Sequence, residues 1–180
     1  MIKIARLGDL LDIQNGFAFP SDKFVSREEG VPLIRIRDLG KTHTEVGYRG
    51  KYRDEFMVNP GDLLIGMDGG FECHRWEGPP ALLNQRVCRL RNFSTALDRR
   101  FLFHWIGKAL KEIHSKTSFV TVKHISSKQI ANLNIPLPPL DEQRRIVGLL
   151  DRAAEIRRRA DAARAKARAI IPAGLFNADF

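Results

Sequence analysis

Eight apolar residues near the C-terminus, Ile146, Leu149, Ala153, Ile156, Ala160, Ala163, Ala167 and Ile170, succeed one another at steps of 3, 4, 3, 4, 3, 4 and 3. A helix with that spacing carries one apolar seam, and a period of 3.5 keeps the seam facing a partner helix. A lone helix cannot bury such a stripe, so the chain calls for a second helix. Pro136, Pro138 and Pro139 precede the run, forcing an extended connector and starting the helix near Asp141. Pro172 is expected to end it, which gives about 30 residues and roughly 45 Å of length. Ala160, Ala163 and Ala167 allow two helices to approach closely, as in an antiparallel coiled coil. Gly148 costs about 1 kcal/mol of helix propensity, which a seam of this length absorbs. The alternative is a helix folded back on its own domain, and the length and strict period favour a partner from another chain.

Composition sets the class. With 43% hydrophobic and 28% charged residues in 180, the chain can bury one good core and carry a helical appendage. No apolar run approaches the ~20 residues that a membrane span requires. The stretch MIKIARLGDLLDIQNG has Asp9 and Asp12 within its apolar part and no small-residue cleavage site, so it does not read as a signal peptide. A cytoplasmic protein with Cys73 and Cys88 reduced is therefore expected. The net charge of +9 and pI near 10.0 favour an anionic partner. Residues 141–180 hold 9 Lys and Arg against 6 Asp and Glu, so the excess is spread along the chain rather than confined to a tail. Nucleic acid is the favoured partner; generic solubilising charge is the bland alternative.

Residues 1–134 read as a mixed, strand-rich region with frequent turns. A short helix is expected over Leu7–Ile13, then a loop over Asn15–Phe24. Pro32–Arg37 alternates apolar and basic residues, the period of a strand with one wet face. Asn59-Pro60-Gly61-Asp62 is a turn with an apolar strand, Leu63–Met67, behind it. Gly66–Pro80 is rich in Gly and Pro and reads as a loop, followed by a strand over Ala81–Leu90. Leu102, Trp105, Ile106, Ala109 and Ile113 recur at helical spacing and place a helix over about residues 98–115. Ser126 with Gln129 three residues on forms a capping box for a short helix at Ile130. The expected fold class is α+β: a globular strand-rich domain over residues 1–140, a long helix over 141–171 and a tail over 172–180.

In this order the segments resemble the specificity subunit of type I restriction–modification systems, over essentially the whole chain. GVPLIRIRDL (Gly30–Leu39) looks like that family's strand after the first loop, and VNPGDLLIGMDGG (Val58–Gly70) like its turn and strand. NQRVCRL (Asn84–Leu90) matches a following strand. HISSKQIANLNIPLPPLDEQRRIVGLLD (His124–Asp151) matches the exit into the conserved helix and is very specific. The resemblance implies a non-catalytic target-recognition domain whose long helix is both spacer and docking surface. Full-length members carry two such domains with antiparallel helices, each domain reading half of a bipartite site on double-stranded DNA. One domain and one helix make this chain look like half a subunit. It is either a natural half-size protein that pairs with a second copy or related half-subunit, or a truncated or split product. AGLFNADF (Ala173–Phe180) resembles the point where a second repeat would begin. The implied partners are methyltransferase (M) subunits and, through them, the restriction (R) subunit. AdoMet, ATP and Mg are expected on those partners, with no cofactor bound by this chain.

Candidate DNA contacts are basic residues in loops or on the wet strand face: Arg35, Arg37, Lys41, Arg49, Lys51, Arg53, Arg75, Lys116 and Lys123. Cations on phosphates set register and affinity, while base edges carry sequence information. Lys41–Arg53 interleaves basic residues with Tyr48 and Tyr52, a fair nucleic-acid surface. For each cation a plain solvated charge competes with this reading, and the resemblance transfers no base-contacting residue. No catalytic residue is assigned. No GxxxxGK[ST] loop is present to cradle nucleotide phosphates. Asn134–Leu140 (NIPLPPL) lacks the adjacent Pro-Pro and the aromatic of an amino-methyltransferase motif. No metal site is assigned either: Cys73, His74 and Cys88 lack a fourth ligand at sensible spacing, and Asp62, Glu72 and His74 lack the lysine of a nuclease cluster. The rivals are a single-chain nuclease or methyltransferase with an unrecognised site, and a coiled-coil adaptor that does not read DNA.

Overall fold

A computed structural model describes residues 2–116 and 124–170, and the side chains of Lys116, Ala169 and Ile170 lie outside the described set. The chain opens with β1 (Lys3–Arg6), a 3-10 turn at Leu7–Asp9, β2 (Asp12–Asn15) and β3 (Phe24–Ser26). β4 (Val31–Ile34), β5 (Val46–Tyr48), β6 (Met57–Val58) and β7 (Leu63–Gly66) follow, then β8 (Cys73–Arg75), β9 (Ala81–Leu83) and β10 (Val87–Arg91). The second half holds α1 (Arg99–Lys116), α2 (Ser127–Ala131), β11 (Asn134–Leu137) and α3 (Leu140–Ile170). The fold is α+β, strand-rich with a long C-terminal helix.

Strand alternation builds three layers. β2, β10, β7 and β8 form one antiparallel sheet; β3, β5, β4, β9 and β6 form a second, mixed sheet in which β4 and β9 are parallel. On β7, Leu63 and Ile65 point to one face and pack with Leu102, Ile106 and Leu110 of α1. Leu64 points to the other face, where it meets Ile34, Val58, Trp76, Ala81, Leu83 and Val87 between the sheets. Leu33 and Leu82, one register step from Ile34 and Leu83, close a third cluster with Phe19 and Tyr48. Arg89 on β10 lies at the seam between the sheets, 8% exposed. It donates to Gln14 Oε1 at 2.6 Å, the Glu55 carbonyl at 2.9 Å and Asp62 Oδ2 at 3.1 Å.

Several expectations meet differences. Leu7–Ile13 is not a helix: its 3-10 turn buries Leu7, and Asp12 and Ile13 join β2 in the ladder to β10. The strand at Pro32 stops at Ile34 and has no wet face in its second half, since Leu33 and Ile34 each enter a core on opposite sides. Arg35 leaves the ladder and caps a 3-10 turn at Ile36–Asp38. Gly66–Pro80 contains β8, and its Phe71 and Trp76 are fully buried despite the surrounding Gly and Pro. Ala81–Leu90 is two strands in different sheets, split by the turn at Asn84–Arg86. Local composition cannot reveal that split, because both halves are apolar and the partner strand decides. The helix near residue 98, the Ser126–Gln129 capping box and the start of the long helix agree with the sequence reading to within about a residue. Residues 172–180 lie outside the described residues.

α3 is rooted by one buried amide. Gln143 is fully buried; its Oε1 accepts from the Asp98 backbone N–H at 2.8 Å. Its Nε2 donates to the carbonyls of Ala96 at 2.9 Å and Pro138 at 2.8 Å. Asp98 in turn caps α1 by accepting from the N–H groups of Arg100 and Phe101. Val147, one turn on, is buried in the α1 core, and Asp151, a further turn on, pairs with Arg100. β1 pairs antiparallel with β11 and ties the N-terminus to the same root. From Arg152 to Arg168 every residue but the partly buried Glu155 is exposed, so the helix stands away from the domain there. Ion pairs at i,i+3 and i,i+4, Arg158 and Arg159 with Glu155 and Arg164 with Asp161, lace that outer part.

Gln143→Ala removes the partner of one N–H and two carbonyls at a largely buried site and is expected to lower unfolding stability by about 2–4 kcal/mol, read by urea denaturation. The cysteines give a pH test. Cys73 and Cys88 flank Ile65 on the adjacent strands β8 and β10, and burial pushes both thiols up from 9.0 to about 12. The thiolate form is disfavoured only in the folded state. Their contribution to stability is therefore intact below about pH 9 and lost as pH rises toward about 12. At pH 8 the fully buried Cys88 of the native protein is expected to react with a thiol reagent only as fast as the protein unfolds, and the partly buried Cys73 more slowly than in the unfolded chain.

Candidate nucleic-acid interface

The candidate cations divide into those held by the fold and those left to solvent. Arg35 belongs to the first group. The fully buried Asp38 accepts from the Arg35 backbone N–H at 2.9 Å through Oδ2, and from the Glu45 N–H at 3.3 Å through Oδ1. The Arg35 guanidinium donates to Glu45 Oε2 at 3.0 Å, and Lys41 Nζ donates to Glu45 Oε1 at 2.7 Å. The Lys41 hydrogen bond, with the Arg35 and Arg37 charges, holds the Glu45 carboxyl below its ordinary value. Arg35 and Lys41 thus pin the loop between β4 and β5. Arg37, whose charge also acts on Glu45, is exposed.

Lys51 and Arg53 come together at a small aromatic patch. Phe17, Phe19, Tyr52 and Phe56 line a cavity of about 160 Å³ with these two cations. The Arg53 guanidinium lies over the Phe56 ring at 5.9 Å and pairs with Glu55 at 2.8 Å. Phe17 is 45% exposed on a clamped backbone, bonded to the Leu83 carbonyl through its N–H and to the Gln85 N–H through its carbonyl. Gly16 beside it is required, since a Cβ there would lie 2.1 Å from the Asn84 carbonyl oxygen. Tyr48 is not part of this surface: it is buried against Phe19, with ring centroids 4.7 Å apart. Arg49 is exposed beside Glu29, whose carbonyl accepts from its guanidinium at 3.3 Å.

A second basic region lies between β8 and the start of α1. Arg75, Arg99, Arg100, His74 and His104 line a groove of about 450 Å³. Arg75 pairs with Glu77, and the Arg99 guanidinium lies 4.4 Å from the Phe93 ring centroid. Sequence reasoning named Arg75 alone here; Arg99, Arg100 and Phe17 were missed, since helical position and loop apolarity gave no sign of exposure next to other cations. The Lys116 side chain and Lys123 lie outside the described residues. Cys73 faces the core while His74 turns outward to Glu72, and among the described residues no three His, Cys, Asp or Glu converge to hold a metal ion. Along α3, Ile146 packs partly against the core, whereas Leu149, Ala153, Ile156, Ala160, Ala163 and Ala167 are exposed. Ile156 is 69% exposed. The side chain of Ile170 lies outside the described set.

Residues 2–158 match the model of the type I restriction modification DNA specificity domain. The chain belongs to that family. It is 45% identical over 145 residues to the EcoBI specificity subunit of Escherichia coli, covering 81% of this chain and 31% of that protein. With the MjaVIII specificity subunit of Methanocaldococcus jannaschii it shares 29% identity over 96 residues, 53% of this chain and 23% of the relative. A solved chain from a type I R-M system, described for complex assembly and conformational transition, superposes with a TM-score of 0.74 at 27% identity. That match covers 93% of this chain and 42% of the solved one. The HsdS subunit from Thermoanaerobacter tengcongensis gives a TM-score of 0.68 at 27% identity, covering 85% and 37%. The chain thus spans less than half the length of each of these relatives.

The two classes of cation differ in what their loss does. Arg35→Ala is expected to destabilise the domain by about 1–3 kcal/mol, because the fully buried Asp38 then loses the guanidinium 3.7 Å from its Oδ2, and Glu45 loses its bond to the same group. Arg37→Ala is expected to leave thermal unfolding unchanged within about 0.5 kcal/mol, a contrast that calorimetry of the two variants checks.

Proposed function

We propose that this chain is a non-catalytic DNA-specificity subunit that reads one half of a bipartite target and docks M subunits, and through them the R subunit, onto it. Membership of the DNA specificity domain family over residues 2–158 carries the reading. Residues 1–140 form the target-recognition domain, 141–171 the spacer helix and 172–180 the tail. Arg37, Lys51, Arg53 and Arg75 are exposed and suited to phosphates, while Arg49, Arg53 and Arg75 first release Glu29, Glu55 and Glu77. Lys116 and Lys123 are further candidates by sequence. Base flipping, AdoMet and Mg–ATP chemistry belong to the partner subunits, and the complex works in the cytoplasm, where its DNA lies. No helix among the described residues is long and apolar enough to cross a membrane.

The exposed seam from Leu149 to Ala167 supports pairing with a second copy or a related half-subunit in an antiparallel coiled coil. Two recognition domains at opposite ends of such a pair are held a fixed distance apart, which is how a helix measures a bipartite site.

Binding to duplex DNA by the complex with M subunits tests the reading. Affinity is expected to fall steeply with salt, and Lys51→Ala is expected to lower the slope by about one counterion. Salt-independent binding, or turnover of DNA by the isolated chain with AdoMet and Mg, contradicts it. Leu149→Glu with Ile156→Glu is expected to give a monomer by light scattering with the domain still folded, because both side chains are exposed within the protomer.

A further inference from the structure

Given the antiparallel pairing proposed above, on which this rests, we infer that the helix covering the α3 seam is not a second copy of this chain. It is a helix of different sequence whose own seam is bordered by aspartate and glutamate. The charge beside the seam selects this partner. Leu150, Arg157 and Arg164 directly follow the seam residues Leu149, Ile156 and Ala163, while Arg152, Arg159 and Lys166 directly precede Ala153, Ala160 and Ala167. Five of these six bordering residues are cations, none is an acid, and all are exposed. The acids of the same stretch lie elsewhere on the helix. Asp151 pairs with Arg100 of α1, Glu155 holds Arg158 and Arg159, and Asp161 lies 3.8 Å from Arg164. Among the described residues, Arg152, Arg157 and Lys166 have no acidic partner.

Residues bordering a coiled-coil seam face their counterparts across the interface and set partner choice. Two copies aligned antiparallel about Arg158 bring Arg157 against Arg157, Arg159 against Arg159 and Arg152 against Lys166. Sliding the pair by a heptad changes the partners and not the sign, because no bordering residue from Arg152 to Lys166 is an acid. Like charges facing each other oppose pairing, which is how coiled coils reject a wrong partner. The exposed seam offsets this poorly, since from Leu149 to Ala167 only Leu149 and Ile156 are larger than alanine. Asp or Glu at the bordering positions of a partner helix turns each repulsion into an ion pair. A phosphate backbone meets the cations as well, but it leaves Leu149 and Ile156, 45% and 69% exposed, in water. An apolar stripe between two cationic rows therefore fits an acid-bordered helix.

Charge reversal within the full chain supplies such a partner. The fourfold variant Arg152→Glu, Arg157→Glu, Arg159→Glu and Lys166→Glu alters only exposed side chains, and Glu has nearly the helix propensity of Arg and Lys. Analytical ultracentrifugation at low salt compares the parent chain, the reversed chain and their equimolar mixture. The mixed dimer is expected to be at least about tenfold tighter than either self-association, with the gap narrowing as added salt screens the charges. Leu149→Glu with Ile156→Glu in the reversed chain is expected to abolish the mixed dimer. Self-association of the parent chain as tight as the mixture overturns the acid-bordered partner and leaves pairing along the seam standing. A mixed dimer that survives Leu149→Glu with Ile156→Glu, or no dimer in any of the three samples, overturns the seam and the partner together. In the last case, weaker binding of duplex DNA by the reversed chain assigns the bordering cations to phosphates instead.

Discussion

The direction in which α3 leaves the domain hangs on the Gln143 side chain. Its carboxamide has one acceptor and two donor positions in use, answered by backbone groups from two parts of the chain: Ala96 and Asp98 ahead of α1, and Pro138 in the connector. An amide in an apolar setting is costly unless satisfied, so only one orientation of the helix root keeps all three bonds. Val147 and Asp151 extend that root along α1, and the prolines ahead of Leu140 remove slack from the connector. A stiff helix of about 46 Å amplifies small errors at its base. A buried, fully bonded root is what makes it usable as a spacer.

Arg89 plays the matching part inside the domain. A guanidinium between two sheets, bonded to Gln14, Glu55 and Asp62, fixes how the sheets lie on each other and orients the loop that carries Lys51 and Arg53. The aromatic patch at Phe17 depends on the same frame, since its backbone is bonded to the β9 end and the turn after it. Domain and helix are therefore joined through the core beneath α1, in which Leu63 and Ile65 of β7 share one cluster with Leu102 and Val147. The surface left over is of two kinds: scattered cations facing solvent, and apolar faces at Leu149, Ile156, Ile2 and Ile4. Under the proposed function the first meets a polyanion and the apolar seam of α3 meets a second copy or related half-subunit.

Periodic and punctuating features were legible early. The α1 stripe, the Ser126 box and the start of α3 each depend on residues within about four positions of one another. The family likeness rested on His124–Asp151, where the root of α3 is built, and the match over residues 2–158 bears it out. What escaped was long-range. Asn84–Arg86 divides one apolar run between two sheets, and Arg35 looked like a wet strand residue until Asp38 and Glu45 closed around it. Tyr48, expected at the surface beside Tyr52, is buried, whereas Phe17 in the loop after β2 is 45% exposed.

The sequence by itself determined that a long helix with an apolar seam stands behind a strand-rich domain, because helical period, capping and proline placement act through near neighbours. Only the tertiary structure decided which basic residues are held in the fold, which rings face solvent, and how one buried amide roots the long helix. Those properties depend on which distant segments meet, and a one-dimensional pattern does not contain that information.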